Sequence, residues 1–238
     1  AARTVTPAAQ TASWEERAMS KLRLIFVKEQ QASYISHLDV MRTFQRVFPR
    51  AGLSIKHSNG FHPHPILSIV LPLPVGQSSE CEILDFESVE ESAGEGVAEA
   101  LNTGMPAGLR VLDCYAASRP VREMALLRAR LEMEYDGGVS EDACERIRAL
   151  FAQEEVYVEK RTKHKGMTEL NIVPLIHSLT LTEEPGMIAA DAIVAAQDPG
   201  LNPALIGAAI ARHLPEIAPD FVRVRRKEVY DREMNIFR

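Results

Sequence analysis

Leu22-Arg23-Leu24-Ile25-Phe26, then Ser36-His37-Leu38-Asp39-Val40-Met41-Arg42 and on to Phe48, then Leu53-Ser54-Ile55-Lys56: the succession of these three stretches decides the fold. The first alternates with the period of two that a strand requires. The second carries Leu38, Met41, Phe44 and Phe48 at helical spacing, with Ser36 as a candidate N-cap and Asp39 three residues on. The third returns as a strand. Working outward, Ile66 to Leu71 and Cys81 to Phe86 read as strands, 94–103 as a short helix, and Leu109 to Tyr115 as a strand. The order then restarts: a strand at Ala129 to Tyr135, a helix from Ser140 to about Phe151, and a strand at Val156 to Lys160. A hairpin pair at Leu170 to Leu181 and Ile188 to Ala195 follows, then a helix capped by Asn202 and ending near His213, and a last strand at Phe221 to Val229. Each half is therefore β-α-β-β-α-β, and the expected class is α+β, two tandem ferredoxin-like domains. The expected boundaries are 19–118 and 123–238, with Ala116 to Arg122 as the linker. Residues 88–96 read as an acidic, glycine-bearing loop. Residues 1–18 read as a disordered leader or linker ahead of a natural start at Met19-Ser20-Lys21.

Composition narrows the classes. The 238 residues are 46% hydrophobic and 25% charged, the balance of a soluble globular protein. No apolar run approaches the roughly 20 residues that span a bilayer, so no membrane partner is expected. Cys81, Cys114 and Cys144 are widely spaced and form no C-x-x-C pair. That predicts reduced thiols in a cytoplasmic protein, with no disulfide frame, thiolate metal site or iron–sulfur centre. The net charge of −6 excludes nucleic-acid binding over the whole surface. The charge is uneven, however: seven Lys/Arg against two Asp/Glu over 19–75, then nine Asp/Glu against one Arg over 76–118. Two later clusters are basic, Lys160-Arg161-Thr162-Lys163-His164-Lys165 and Arg223-Val224-Arg225-Arg226-Lys227.

Asn59-Gly60-Phe61-His62-Pro63-His64-Pro65 is the strongest candidate site. Four of the seven histidines (His37, His57, His62, His64) fall between residues 37 and 64. A residue before proline is pushed into extended backbone, so His62 and His64 are both expected to be extended and to project to one side. Asn59-Gly60 signals a turn.

The run Tyr34-Ile35-Ser36-His37-Leu38-Asp39-Val40-Met41-Arg42, with Gly60-Phe61-His62-Pro63-His64-Pro65 and Leu71-Pro72-Leu73-Pro74-Val75-Gly76, resembles the radical-SAM-linked proteins, a largely uncharacterised bacterial family. Its members are encoded beside, or fused to, a radical-SAM protein that often carries a cobalamin-binding domain. The resemblance covers residues 21–87 closely and extends to about residue 230. It implies partnership with that enzyme and a role in RNA or ribosome-related maturation. The family commonly has Asn where this chain has His62, so His64 matches the pattern better. Relatives often flank Ile172 with an Asp and an Arg, where this chain has Asn171 and Val173. Pro49 falls where relatives continue the helix, which predicts a kink or an early end here.

Three functional classes follow. In the first, a non-catalytic accessory protein without a cofactor binds RNA or presents a substrate to the radical-SAM partner. Its nucleic-acid-binding residues are His37, Arg42, Arg46, Lys56, Phe61, His62, His64, Lys160, Arg161, Lys163, Lys165, Arg223, Arg225, Arg226 and Lys227. In the second, His37 and His64 act as general acid and base in an endoribonuclease built of paired ferredoxin-like domains. In the third, His57, His62 and His64 hold a metal. The first is the expected function.

Overall fold

The computed structural model describes residues 20–90, 94–162 and 166–238; the expected leader at 1–18 lies outside them. The first half supplies β1 (Ser20–Lys28), α1 (His37–Arg50), β2 (Leu67–Ile69), β3 (Ser78–Ser88), α2 (Val97–Asn102) and β4 (Leu109–Ala116). The second supplies β5 (Leu126–Glu134), α3 (Ala143–Phe151), β6 (Tyr157–Thr162), β7 (Gly166–Asn171), β8 (Ile176–Glu184), β9 (Met187–Ala195), α4 (Ala204–His213) and β10 (Phe221–Tyr230).

Strands of the first half lie in the order β4-β1-β3-β2, and those of the second in the corresponding order β10-β5-β9-β8, antiparallel throughout. Arg225 and Arg226 of β10 pair in parallel with Ser78 and Ser79 of β3, fusing both sets into one eight-stranded mixed sheet. The architecture is thus a mixed α/β fold dominated by a large mixed sheet with few helices. Two separate sheets were expected, and strand length explains why they merge. β3 has 11 residues while β2 covers it with only 3, so the start of β3 keeps free backbone groups for β10.

α1 forms where its spacing predicts. The Ser36 hydroxyl accepts from the Asp39 N–H, capping the helix, and Pro49 falls in the last turn, one residue before the end at Arg50. The buried stripe is Val40, Phe44, Val47 and Phe48; Leu38, expected in it, is 61% exposed. Phe44 meets Phe26 of β1 at 5.0 Å between ring centroids, and Phe48 meets Phe86 of β3 at 4.8 Å, which binds the helix to the sheet.

Two expected strands are corrected. Over Leu53 to Lys56 only Ile55 bridges the sheet, to Ser88, before the chain turns out into the His-Pro segment. The expected long strand from Leu170 is broken at Val173–Leu175, because Pro174 has no N–H for a ladder. β7 instead folds back on β6 as a separate two-stranded hairpin, leaving β8 to pair with β9. In both halves, then, a hairpin leaves the chain between the first helix and the second sheet strand.

The seam between halves is polar and buried. Arg226 donates to Glu82 at 2.7 Å and to the Leu71 carbonyl at 2.8 Å, with side chains 8% and 2% exposed. Lys28 donates to the Ser33 carbonyl at 3.1 Å, and Gln77 to Asn202 at 2.9 Å. Leu71, Pro72 and Pro74 of the Leu71–Gly76 motif thus lie at the seam, beside Gln77 and Glu82.

Burial also raises several acids. Desolvation pushes the thiols of Cys81 and Cys114 from 9.0 to about 12, and the hydroxyls of Tyr115 and Tyr135 from 10.0 to about 12. Each stays protonated in the fold at a pH where the unfolded chain ionises it, so stability is complete below the unfolded values and lost as pH rises toward 12. Lys28, lowered by burial, works in the opposite sense. The four acids outnumber it, so the urea midpoint falls from about pH 9 upward, and Cys81→Ala makes the fall shallower. A midpoint constant between about pH 8 and 11 would contradict this.

Candidate functional site

The His-Pro segment is an ordered hairpin standing off the sheet edge. Lys56 N–H donates to the Glu87 carbonyl at 2.9 Å, and Ile66 N–H donates to the Lys56 carbonyl at 2.8 Å; between them His57 and Pro65 bridge. Ser58 N–H donates to the His64 carbonyl at 2.9 Å, and His64 N–H donates to the Ser58 hydroxyl oxygen at 3.1 Å. That hydroxyl also lies 2.8 Å from His64 Nδ1. Gly60, with φ 129°, turns the tip through backbone that a side chain resists. His64 thus belongs to the stem, while His62 has no hydrogen-bond partner among the described residues and Phe61 at the tip is 101% exposed. The stem and the end of α1 share a cavity of about 470 Å³ lined by Pro49, Leu53, His57 and Pro65.

Other expected residues are placed less favourably. Asp39 is held below its ordinary value by the Ser36 hydroxyl, at 2.7 Å, and by Arg42, at 3.1 Å, so its carboxylate is engaged by the N-cap and by Arg42 in the first turns of α1. His37 opens α1 whereas the hairpin leaves the chain after its last turn, so a 14-residue helix, about 20 Å, lies between His37 and the hairpin stem. No acid–base pair of His37 and His64 is assembled. Arg46 and Arg50 are exposed on α1 without ion pairs among the described residues, and Lys56 is paired with Glu87 at 2.6 Å. His57 Nδ1 lies 2.9 Å from the Ile55 carbonyl, and among the described residues no three His, Cys, Asp or Glu converge as metal ligands, so His57, His62 and His64 are not gathered into such a set.

The second-half clusters divide. Arg223 pairs with Glu134 at 2.9 Å, Arg225 with Glu29 at 3.1 Å and Glu80 at 2.8 Å, and Lys227 with Glu80, while Arg226 is buried in the seam. Alternation along β10 set these cations against Glu134 of β5, Glu80 of β3 and Glu29 just past β1, so among the described residues they form no free cationic face. Lys160 is half-buried at the seam, and Arg161 lies in β6; Lys163 and Lys165 lie outside the described residues.

One constellation escaped the sequence reading. Tyr115 of β4, Arg23 of β1, Asp85 of β3 and Ser68 of β2 are successive cross-strand partners and share the face of the sheet away from α1. Arg23, 1% exposed, grips Asp85 through Nε at 2.7 Å and Nη2 at 2.9 Å. Desolvation works to lower the Arg23 pKa, yet the Asp85 hydrogen bonds hold it above its ordinary value. Its Nη1 and the Tyr115 hydroxyl are buried without partners, and Phe237 covers the guanidinium at 4.9 Å. Arg23, Asp85, Ser68, Lys21, Arg119 and Ile66 line a cleft of about 420 Å³, so the hairpin's base forms one of its walls. The second half repeats the row as Arg225, Arg130, Asp191 and Thr180. The available signal was Arg23 itself, a charge inside the apolar run Leu22 to Val27.

The class so defined is a mixed α/β protein that offers an exposed aromatic hairpin beside a polar cleft. Residues 21–203 match the family described as an uncharacterized protein conserved in bacteria (DUF2344), and the chain belongs to that family. A comparison with curated proteins gave no match. Among solved structures, similarity extends to a Cbf5-Nop10-Gar1 complex, with a TM-score of 0.47 and 12% identity over 87% of this chain and 48% of that one. It extends also to the archaeal box H/ACA sRNP Nop10-Cbf5 complex, with a TM-score of 0.41 and 14% identity over 86% and 46% of the two chains. An unknown protein from Galdieria sulphuraria overlaps with a TM-score of 0.29 and 13% identity over 88% and 99%. This chain spans about half the length of the first two. No helix among the described residues is long and apolar enough to cross a membrane.

Proposed function

We propose that this chain binds single-stranded RNA through the His-Pro hairpin and presents it to a separate catalyst, a radical-SAM enzyme of the cytoplasm, in RNA or ribosome-related maturation. The observation that carries the reading is Phe61, wholly exposed at the tip of a hairpin whose stem is hydrogen-bonded shut. An aromatic ring with nothing to pack against offers a platform on which a base can stack. Arg46 and Arg50, free of acids on the adjoining helix, are suited to phosphates. The shared strand order supports taking each half as a ferredoxin-like unit, with the two units as the protein's domains. The role this reading gives the hairpin is binding and orientation of the strand.

The test is binding of a labelled RNA at rising salt, followed by assay of the radical-SAM partner on the same RNA with and without this chain. Affinity falls as salt rises, and Arg46→Ser and Arg50→Ser each reduce the salt slope by about one. Arg225→Gln leaves the slope unchanged, because its charge is already met by Glu29 and Glu80. The partner modifies the RNA faster in the presence of the chain. Absence of RNA binding at low salt, or RNA cleavage by the chain alone that His64→Ala abolishes, would overturn the proposal.

A further inference from the structure

Most arginines among the described residues are committed to carboxylates, as Arg119, Arg128, Arg130, Arg223 and Arg238 illustrate. Arg122 and Arg232 have no ion pair among the described residues, and both line one cavity of about 710 Å³ together with the exposed His177. Val121 separates this cavity from the Arg23–Asp85 cleft and lines both. The turn that carries Arg122 is fixed from behind: the Gln197 amide donates to the carbonyls of Val121, at 2.9 Å, and of Met124. Val121, Met124 and Leu126 give the cavity an apolar wall, and Asp198 is its one acid among the described residues. Two guanidinium groups and an imidazole against one carboxylate leave an excess of donors and of positive charge. Such a set matches a compact dianion better than a singly charged group.

We propose that Arg122, Arg232 and His177 bind a phosphate monoester borne by a nucleoside whose base lies on the Val121–Leu126 wall. The monoester carries close to two negative charges near neutral pH, whereas an internal RNA phosphodiester carries one, so the site selects a phosphorylated end over the middle of a strand. One chemistry has two sources, the 5′-phosphorylated end of an RNA and a free nucleotide. The inference stands on these unpaired cations, not on the hairpin; if both hold, an RNA anchored here by its end is also gripped at Phe61.

The experiment uses the full chain and 3′-labelled oligouridylates that differ only in a 5′-phosphate or 5′-hydroxyl, with uridine 5′-monophosphate and inorganic phosphate as competitors. The 5′-phosphorylated strand is expected to bind about tenfold more tightly, the scale of losing one hydrogen-bonded charge. Arg122→Ser and Arg232→Ser each erase that difference; both side chains are exposed, so the fold is kept. Phe61→Ala weakens both strands equally. If neither strand binds but uridine 5′-monophosphate does, and Arg122→Ser abolishes it, the site is one for free nucleotides and the hairpin reading fails alone. If both strands bind equally and the nucleotide does not bind, the phosphate site is overturned while the hairpin reading stands.

Discussion

Phe61→Ala lowers the affinity of the full chain for single-stranded RNA by roughly tenfold or more and leaves its thermal midpoint where it was. A base stacked on an aromatic ring is worth about 1–3 kcal/mol, and a fully exposed ring contributes no packing to lose. The stem does not depend on Phe61, since its hydrogen bonds run between Ser58 and His64 and between Lys56 and Ile66. Its neighbours separate two roles. His62 is exposed and makes no hydrogen bond or ion pair among the described residues, so His62→Asn is nearly silent. His64 closes the stem, so His64→Ala impairs binding by loosening the platform. Filter binding beside a melting curve checks all three variants. An unchanged affinity for Phe61→Ala, or equal losses from the two histidine changes, would remove the hairpin from the binding surface.

Glu82→Ala destabilises the chain by about 3–5 kcal/mol, the range for a buried charge left without its partner. Glu82 is 2% exposed and is the carboxylate that Arg226 grips, with Lys28, itself 2% exposed, under its influence. Removing the acid leaves two buried cations facing each other across the seam. Replacing the pair together, as Glu82→Met with Arg226→Leu, costs less than the single change, because no charge is then stranded. Urea denaturation of the three proteins measures this. A single change that costs less than about 1 kcal/mol would show that the halves are held by something other than this pair.

Local pattern revealed the elements better than their assembly. β1 and α1 stood out because alternation and helical spacing are properties of neighbouring residues, and Ser36 caps as its type predicts. The break at Pro174 was equally local but was outweighed by the apolar run around it. The joining of the sheets was not legible, since it depends on how much of β3 is left uncovered after β2 has paired. The same holds for the site. His-Pro spacing marks a rigid hairpin in any context, whereas a run such as Arg223 to Lys227 announces charge and conceals the acids set opposite by register. Arg23 and Asp85 lie 62 residues apart, and only strand pairing brings them to one cleft.

The halves repeat one strand order, yet they touch through unlike members of it, the third strand of the first and the last strand of the second. Such a junction has no two-fold axis: among the described residues the reciprocal pairing, β4 with β9, is absent. Head-to-tail contacts of this kind ordinarily propagate, each new unit offering the surface its predecessor used. Here the second half offers no such surface at β9. The second strand of the first half has 3 residues and leaves β3 open, whereas its counterpart β8 has 9 and pairs along the length of β9. The length of a single repeated strand therefore decides which half can accept a neighbour: the 3-residue β2 leaves β3 open to β10, and the 9-residue β8 closes β9 to any equivalent addition.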